Sequence, residues 1–239
     1  MAEIYTFNEA ERSTIDLLKH IVVIRIGNYK SFKLKKERIN YRKSIVLYAP
    51  KLYDNNTIEA YLLKNEYTIY KLGYKCFFPK INLIKDESNT ILFLGKIYNI
   101  SYNNQLEKQY VIDNEKNIIY TRNNLNIPYR KHQFYEEQSK NILSQRLYLY
   151  AEKFGLSIRN IRIKNYKSLW GACYSDNSII LNQRLILAPA GTIDAIICHE
   201  LAHIMHPNHS KDFYNTLEKL YPTYYKDYIW LNIFMPEKI

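Results

Sequence analysis

The chain has 239 residues, 47% of them apolar, enough for one large domain or two small ones with a sizeable core. No uninterrupted apolar run of about eighteen residues occurs, which argues against a membrane-spanning helix, and no membrane partner is expected. A net charge of +11 admits polyanions as partners, while Glu3, Glu9 and Glu11, ahead of any apolar stretch, are unlike a secretory signal. The cysteines, Cys76, Cys173 and Cys198, are far apart and form no CxxC pair. They suit a reducing compartment better than a disulfide framework, so a cytoplasmic location is expected.

In chain order, the first expected elements are strands at Ile21–Ile26, 31–35 and 45–48, with a turn at Gly27-Asn28. Thr57 is read as the N-cap of a helix running to about Lys71, with Gly73 near its end. Ile91–Leu94 and Lys96–Tyr102 read as a hairpin around Gly95, and 110–112 with 118–120 as another. The Asn-rich stretch from Asn123 to Pro128 is the expected linker, dividing the chain into 1–128 and 129–239. A long helix follows from about Gln133 to Phe154, apolar at Leu143, Leu147, Tyr150 and Phe154 and stopped by Gly155. Strands at 158–163 and 178–181 precede a helix that Pro189 and Thr192 begin, with Asp194 placed to favour its dipole.

That helix carries His199-Glu200-Leu201-Ala202-His203. Imidazoles at i and i+4 share a helical face about one turn apart, so both can reach one metal ion. At ~100° per residue, His203 lies near ~40° and Glu200 near ~100° from His199, while Ile193, Ile197, Leu201 and Ile204 fill a separate apolar stripe. Cys198 falls outside both stripes on the same wheel. A carboxylate beside the histidines is positioned to take the proton of an attacking water.

Pro207 disfavours helix at His206, so the chain turns there and can return His209 toward the first two histidines. The six-residue step from His203 to His209 is the spacing by which three-histidine zincins close a metal site, although His206 stands where a metzincin has glycine. His206 would need the helix to continue. Glu218 lies on a following helix, from about Ser210 to Tyr221, well off its apolar stripe of Phe213, Leu217 and Leu220. His209 is the favoured third ligand.

Ser168-Leu169-Trp170-Gly171-Ala172-Cys173, Leu181-Asn182-Gln183-Arg184-Leu185, the His-Glu-Leu-x-His helix and Asn208-His209-Ser210 occur in that order. Together they resemble the YgjP-like metallopeptidase family, a zincin group related to the SprT-like and WLM proteases. Leu169 stands where family members usually carry arginine, and Ala172 where serine is common. The resemblance implies an α+β chain, a β-rich N-terminal region followed by a zincin-like metallopeptidase domain. It also implies one zinc at His199, His203 and His209, with Glu200 as catalytic base.

A peptide or protein substrate is then expected. Ile179, Ile180, Leu181 and Asn182 are read as substrate contacts, because they precede the helix as an edge strand that can pair with an extended peptide. Tyr174 and Asn182 are candidate stabilisers of the oxyanion. Two alternatives remain at this level: a metal-dependent hydrolase of nucleotide phosphoanhydrides, and a SprT-like protease associated with nucleic acid. The first lacks any glycine-rich phosphate loop. The second draws on two basic stretches, residues 30–43 and 159–167, which could bind nucleic acid.

Overall fold

A computed structural model describes residues 9–73 and 89–234, and the chain divides into two compact units, residues 1–80 and 81–239. The first unit opens with helix α1 (Glu9–Ile21), which sequence reading missed. Its Ile15, Leu18 and Ile21 recur every three residues and are all buried. Strands β1 (Val22–Gly27), β2 (Lys33–Ile39) and β3 (Arg42–Pro50) form a sheet in the order β1-β3-β2. β3 is parallel to β1 and antiparallel to β2.

The helix expected from Thr57 to Lys71 is two helices, α2 (Asn55–Lys64) and α3 (Glu66–Gly73). Asp54, not Thr57, is the cap, its Oδ1 accepting from the Thr57 amide at 2.8 Å. Asn65 breaks the run, its side-chain amide donating to the Tyr61 carbonyl at 2.8 Å. Glu59 of α2 is buried but accepts from Arg12 and Lys19 of α1, so its charge is compensated.

The second unit begins with a four-stranded sheet of β4 (Thr90–Phe93), β5 (Lys96–Tyr102), β6 (Tyr110–Asp113) and β7 (Ile118–Thr121), in the order β4-β5-β7-β6. Helix α4 (Pro128–Lys153) follows, then β8 (Asn160–Lys164), β9 (Gly171–Cys173) and β10 (Ser178–Asn182). A short 3-10 turn (Gln183–Leu187) leads into α5 (Ala190–Met205), α6 (Lys211–Leu220) and α7 (Tyr224–Ile233). The architecture is α+β. None of the described helices is long and apolar enough to cross a membrane.

One hydrophobic core runs through this unit from Ile91 of β4 to Leu231 of α7 and includes Leu143, Leu147 and Ala151 of α4. Leu125 is fully buried in it. The Asn123–Pro128 stretch, read from sequence as a linker, is therefore part of the packed unit; its single apolar anchor outweighs its polar composition. The division of the chain falls at residues 80 and 81 instead.

The hairpin around Gly95 has a second task. Its Leu94 and Gly95 amides donate to the Ile186 and Leu187 carbonyls, both at 2.9 Å, just ahead of α5. Gly95 has φ +78°, and a Cβ there would lie 2.5 Å from Cγ of Pro189. Only glycine lets this turn seat against the start of the helix that carries the histidines.

Candidate metal centre

Helix α5 is enclosed rather than amphipathic, packing against α4, α6, α7 and β9. Cys198, which wheel arithmetic put outside the core stripe, is fully buried because α5 has neighbours on that side too. Asp194 lies beyond the first turn and does not serve the helix dipole. It binds Arg146 of α4 through two hydrogen bonds of 2.6 Å and accepts from the Tyr150 hydroxyl at 2.9 Å. Two residues earlier, Thr192 donates to the Asp227 carbonyl of α7 at 2.9 Å. These bonds and the core contacts fix the helix, and hence its polar face, in position.

His199 and His203 project from that face. His206 leaves helical geometry at φ −136°, ψ 98°, as Pro207 requires, and the loop brings His209 back. One ligand-capable nitrogen of each of His199, His203 and His209 lies within 4.8 Å of the others. No other such grouping of three His, Cys, Asp or Glu exists among the described residues. Glu218 is outside it, and the His206 ring is 3.0 Å from the Thr216 hydroxyl on α6.

The donor set fits a divalent metal of zinc type. Nδ1 of His203 donates to the His206 carbonyl at 3.0 Å, which requires the proton on Nδ1 and leaves Nε2 bare. Nδ1 of His199 meets the Tyr224 hydroxyl at 3.0 Å, so its Nε2 also faces inward. Nε2 of His199 and Nε2 of His209 lie 3.0 Å apart. Two nitrogens on one tetrahedral zinc would be about 3.3 Å apart. Phe213, fully buried on α6, packs its ring 4.5–4.9 Å from all three imidazoles and forms an apolar floor.

Glu200 is 5% exposed, and burial pushes its carboxyl up to about 8. It lies against β9 so closely that a Cβ on Gly171 would stand 2.6 Å from Oε1. Cys173, one pleat further along β9, has its thiol pushed up to about 11 by burial and then by Glu200. Tyr228 of α7 is raised by burial first and by Glu200 next. Cys173 and Cys198 are free thiols, while Cys76 lies outside the described residues.

The substrate-contact reading of Ile179–Asn182 is corrected. β10 is the middle strand of β8-β10-β9, paired on both sides, and its five residues are buried. A strand so paired has no free edge to offer a peptide. Asn182 is not available to an oxyanion either. Its Nδ2 donates to the Tyr166 and Leu169 carbonyls at 2.8 and 2.6 Å, and its Oδ1 accepts from the Arg184 amide at 3.0 Å. Tyr174 is half exposed on the turn after β9. Sequence reasoning missed Tyr224, which meets His199 from 25 positions away, and the contact of Gly171 with Glu200. The Trp-Gly-x-Cys pattern marked Gly171 without saying what it approached.

The model of the YgjP-like metallopeptidase domain matches residues 35–234, well over half of the chain. The chain belongs to the YgjP-like family. Membership makes it a hydrolase of the metallopeptidase type and implies a metal ion, for which the three-histidine cluster is the fitting place. A comparison with curated proteins finds no match. Within the YgjP-like chain the match begins in the first unit, at residue 35, and runs almost to the end of α7.

Proposed function

We propose that the protein is a zinc-dependent metallopeptidase in which His199, His203 and His209 hold one zinc ion and Glu200 is the general base. The observation that carries this reading is the convergence of three imidazole nitrogens beside a buried carboxylate, inside a metallopeptidase domain. Zinc on three protein nitrogens supplies an open fourth position, lowers the pKa of a water there and polarises a carbonyl. The remaining steps belong to the chain. The His206 carbonyl holds His203 in one tautomer, and Tyr224 orients His199.

Glu200 takes a proton from the attacking water as the C–O bond forms, then delivers it to the leaving amine as the C–N bond breaks. Burial alone favours its protonated form at neutral pH, and a cation alongside restores the carboxylate that a base must be. The substrate is an extended peptide lying along β9 rather than β10. β9 is an outer strand of its sheet, and its Gly171 touches Glu200, so a peptide added to its free side would bring a scissile bond toward that carboxylate.

Metal analysis of purified protein tests the ligand set. Wild type is expected to hold one zinc per chain, His209→Ala to lose it and His206→Ala to keep it; the reverse pattern would overturn the assignment. Profiling zinc-loaded protein on peptides, unfolded proteins and nucleoside triphosphates, beside Glu200→Gln, tests the reaction. Glu200-dependent release of phosphate or pyrophosphate with no peptide cleavage would replace the peptidase reading with phosphoanhydride hydrolysis.

A further inference from the structure

The largest concentration of charge lies far along the chain from the histidines. Residues 22–50 contain eight Lys or Arg and one acid, Glu37. That acid is already engaged, accepting from the Tyr48 hydroxyl at 2.6 Å and from Arg25 at 3.2 Å. The second basic stretch is weaker, because Arg159 pairs with Asp176 at 2.9 Å.

Strand geometry arranges the first stretch. Register places Arg25, Tyr48 and Lys33 in one row across the sheet, and Lys35 follows Lys33 on the same face. Both Lys35 and Arg25 lie against the Tyr48 ring, 5.6 and 5.7 Å from its centroid. Lys36 and Arg38 occupy the opposite face of β2, and β2 is an outer strand, so cations line the edge of the sheet on both sides. Alternate residues of such a strand stand about 6.8 Å apart, a step comparable to that between phosphates of an extended single strand.

The turn joining β2 to β3 supplies an aromatic group. Asn40 and Tyr41 have φ +47° and +64°. Asparagine tolerates that region, but a bulky aromatic side chain there is strained, and glycine is the usual second residue of such a hairpin turn. Tyr41 is nevertheless 99% exposed and gains no burial in return. A strained, fully exposed ring among cations has the character of a contact made to something outside the chain.

We propose that the β2–β3 hairpin binds single-stranded nucleic acid without sequence preference, Tyr41 stacking on a base while Lys33, Lys35, Lys36, Arg38 and Lys43 hold phosphates. A π-face stacks on any unpaired base, whereas duplex bases are already stacked on one another. The tip carries one aromatic residue and no aliphatic cluster, which favours a nucleic acid over an anionic membrane.

The test is fluorescence anisotropy of the full chain with a labelled oligo-dT of about 20 nucleotides, a duplex of equal length and phosphatidylserine vesicles, over a salt series. Oligo-dT binding is expected to exceed duplex binding and to weaken steeply with salt. Replacing Lys33, Lys35 and Lys36 together by Ala is expected to make the log–log salt slope shallower by about 2, at roughly 0.7 per single-strand contact. Tyr41→Phe is expected to bind within about twofold of wild type, and Tyr41→Ala roughly 5- to 100-fold more weakly. Tyr41→Gly removes the ring and the backbone strain together, so it should fold at least as well as wild type and bind as weakly as Tyr41→Ala. Glu200→Gln should bind like wild type, which separates this surface from the hydrolytic site. No binding at low salt, an unchanged slope in the lysine variant, wild-type affinity in Tyr41→Gly, or vesicle binding alone would each overturn the proposal.

Discussion

Helix α5 and the β2–β3 hairpin both carry polar groups suited to chemistry with another molecule, yet they hold them in opposite ways. On α5 the polar face is one side of a helix enclosed by α4, α6, α7 and β9, with Glu200 buried and Phe213 beneath the imidazoles. On the hairpin the cations of β2 and Tyr41 stand exposed to solvent. A site built by enclosure can shift pKa values and fix a tautomer, as zinc hydrolysis demands. A site built on a surface can do neither, but it can follow a flexible polyanion. Substitutions on α5 should therefore change chemistry by large factors, and those on the hairpin only affinity.

The sharpest break is Glu200→Gln, which should keep zinc and fold but lower hydrolysis by ~10²–10⁴-fold, since an amide cannot accept the proton. Zinc content and thermal unfolding measured on the same sample separate lost base from lost structure. Activity near wild type would remove Glu200 from the mechanism. Next is Gly171→Ala. The added methyl would meet Glu200 Oε1 at 2.6 Å and its carboxyl carbon at 2.8 Å, so the carboxylate must move. A displacement of about 1 Å should cost on the order of 10²-fold in kcat while the three histidines still bind metal. Unchanged kcat would mean that the contact of β9 with Glu200 is incidental.

Tyr224→Phe keeps the ring against His199 but deletes the hydroxyl 3.0 Å from Nδ1. Loss of such an orienting partner is expected to weaken zinc affinity roughly 10- to 100-fold, read by competition with a chromogenic chelator. On the hairpin, by contrast, Tyr41→Ala should alter stability by no more than about 0.5 kcal/mol, as for most surface positions. A large destabilisation from Tyr41→Ala would erase the distinction between the enclosed site and the displayed one.

What was legible in the sequence follows the same division between local and distant causes. The i, i+4 histidines, the Pro207 turn, the Gly95 hairpin and the Gly155 stop of α4 are all set by neighbours within a few residues. Helix α1 is hard to see in the sequence although Ile15, Leu18 and Ile21 carry its period, because Ile21 runs straight into the β-branched Val22-Val23-Ile24, which has strand character. The middle position of β10 was not legible at all. Ile179–Leu181 are equally apolar in an outer or an inner strand, and only pairing with β8 and β9 decides which. Arg146 with Asp194, and Tyr224 with His199, likewise depend on segments 48 and 25 positions away.

The remaining expected effect is a pH dependence of the metal-free protein, and its sign follows from burial. The Glu200 carboxyl stands at about 8 in the folded chain against an ordinary value of 4.5. Between those values the folded chain keeps a proton that the unfolded chain has released, so stability should fall as pH rises through this window. Below 4.5 both states are protonated and the contribution is fully present. Glu200→Gln has no such proton to lose. Metal-free Glu200→Gln should therefore match metal-free wild type near pH 4.5 and exceed it by ~1–2 kcal/mol near pH 8.5, with neighbouring imidazoles keeping the difference modest. Zinc should abolish the difference, because a cation beside the carboxylate offsets the cost of burying its charge. Equal urea midpoints for the two metal-free proteins at both pH values would show that Glu200 is better solvated than its enclosure by β9 and α5 implies, and would weaken the contrast between the two sites.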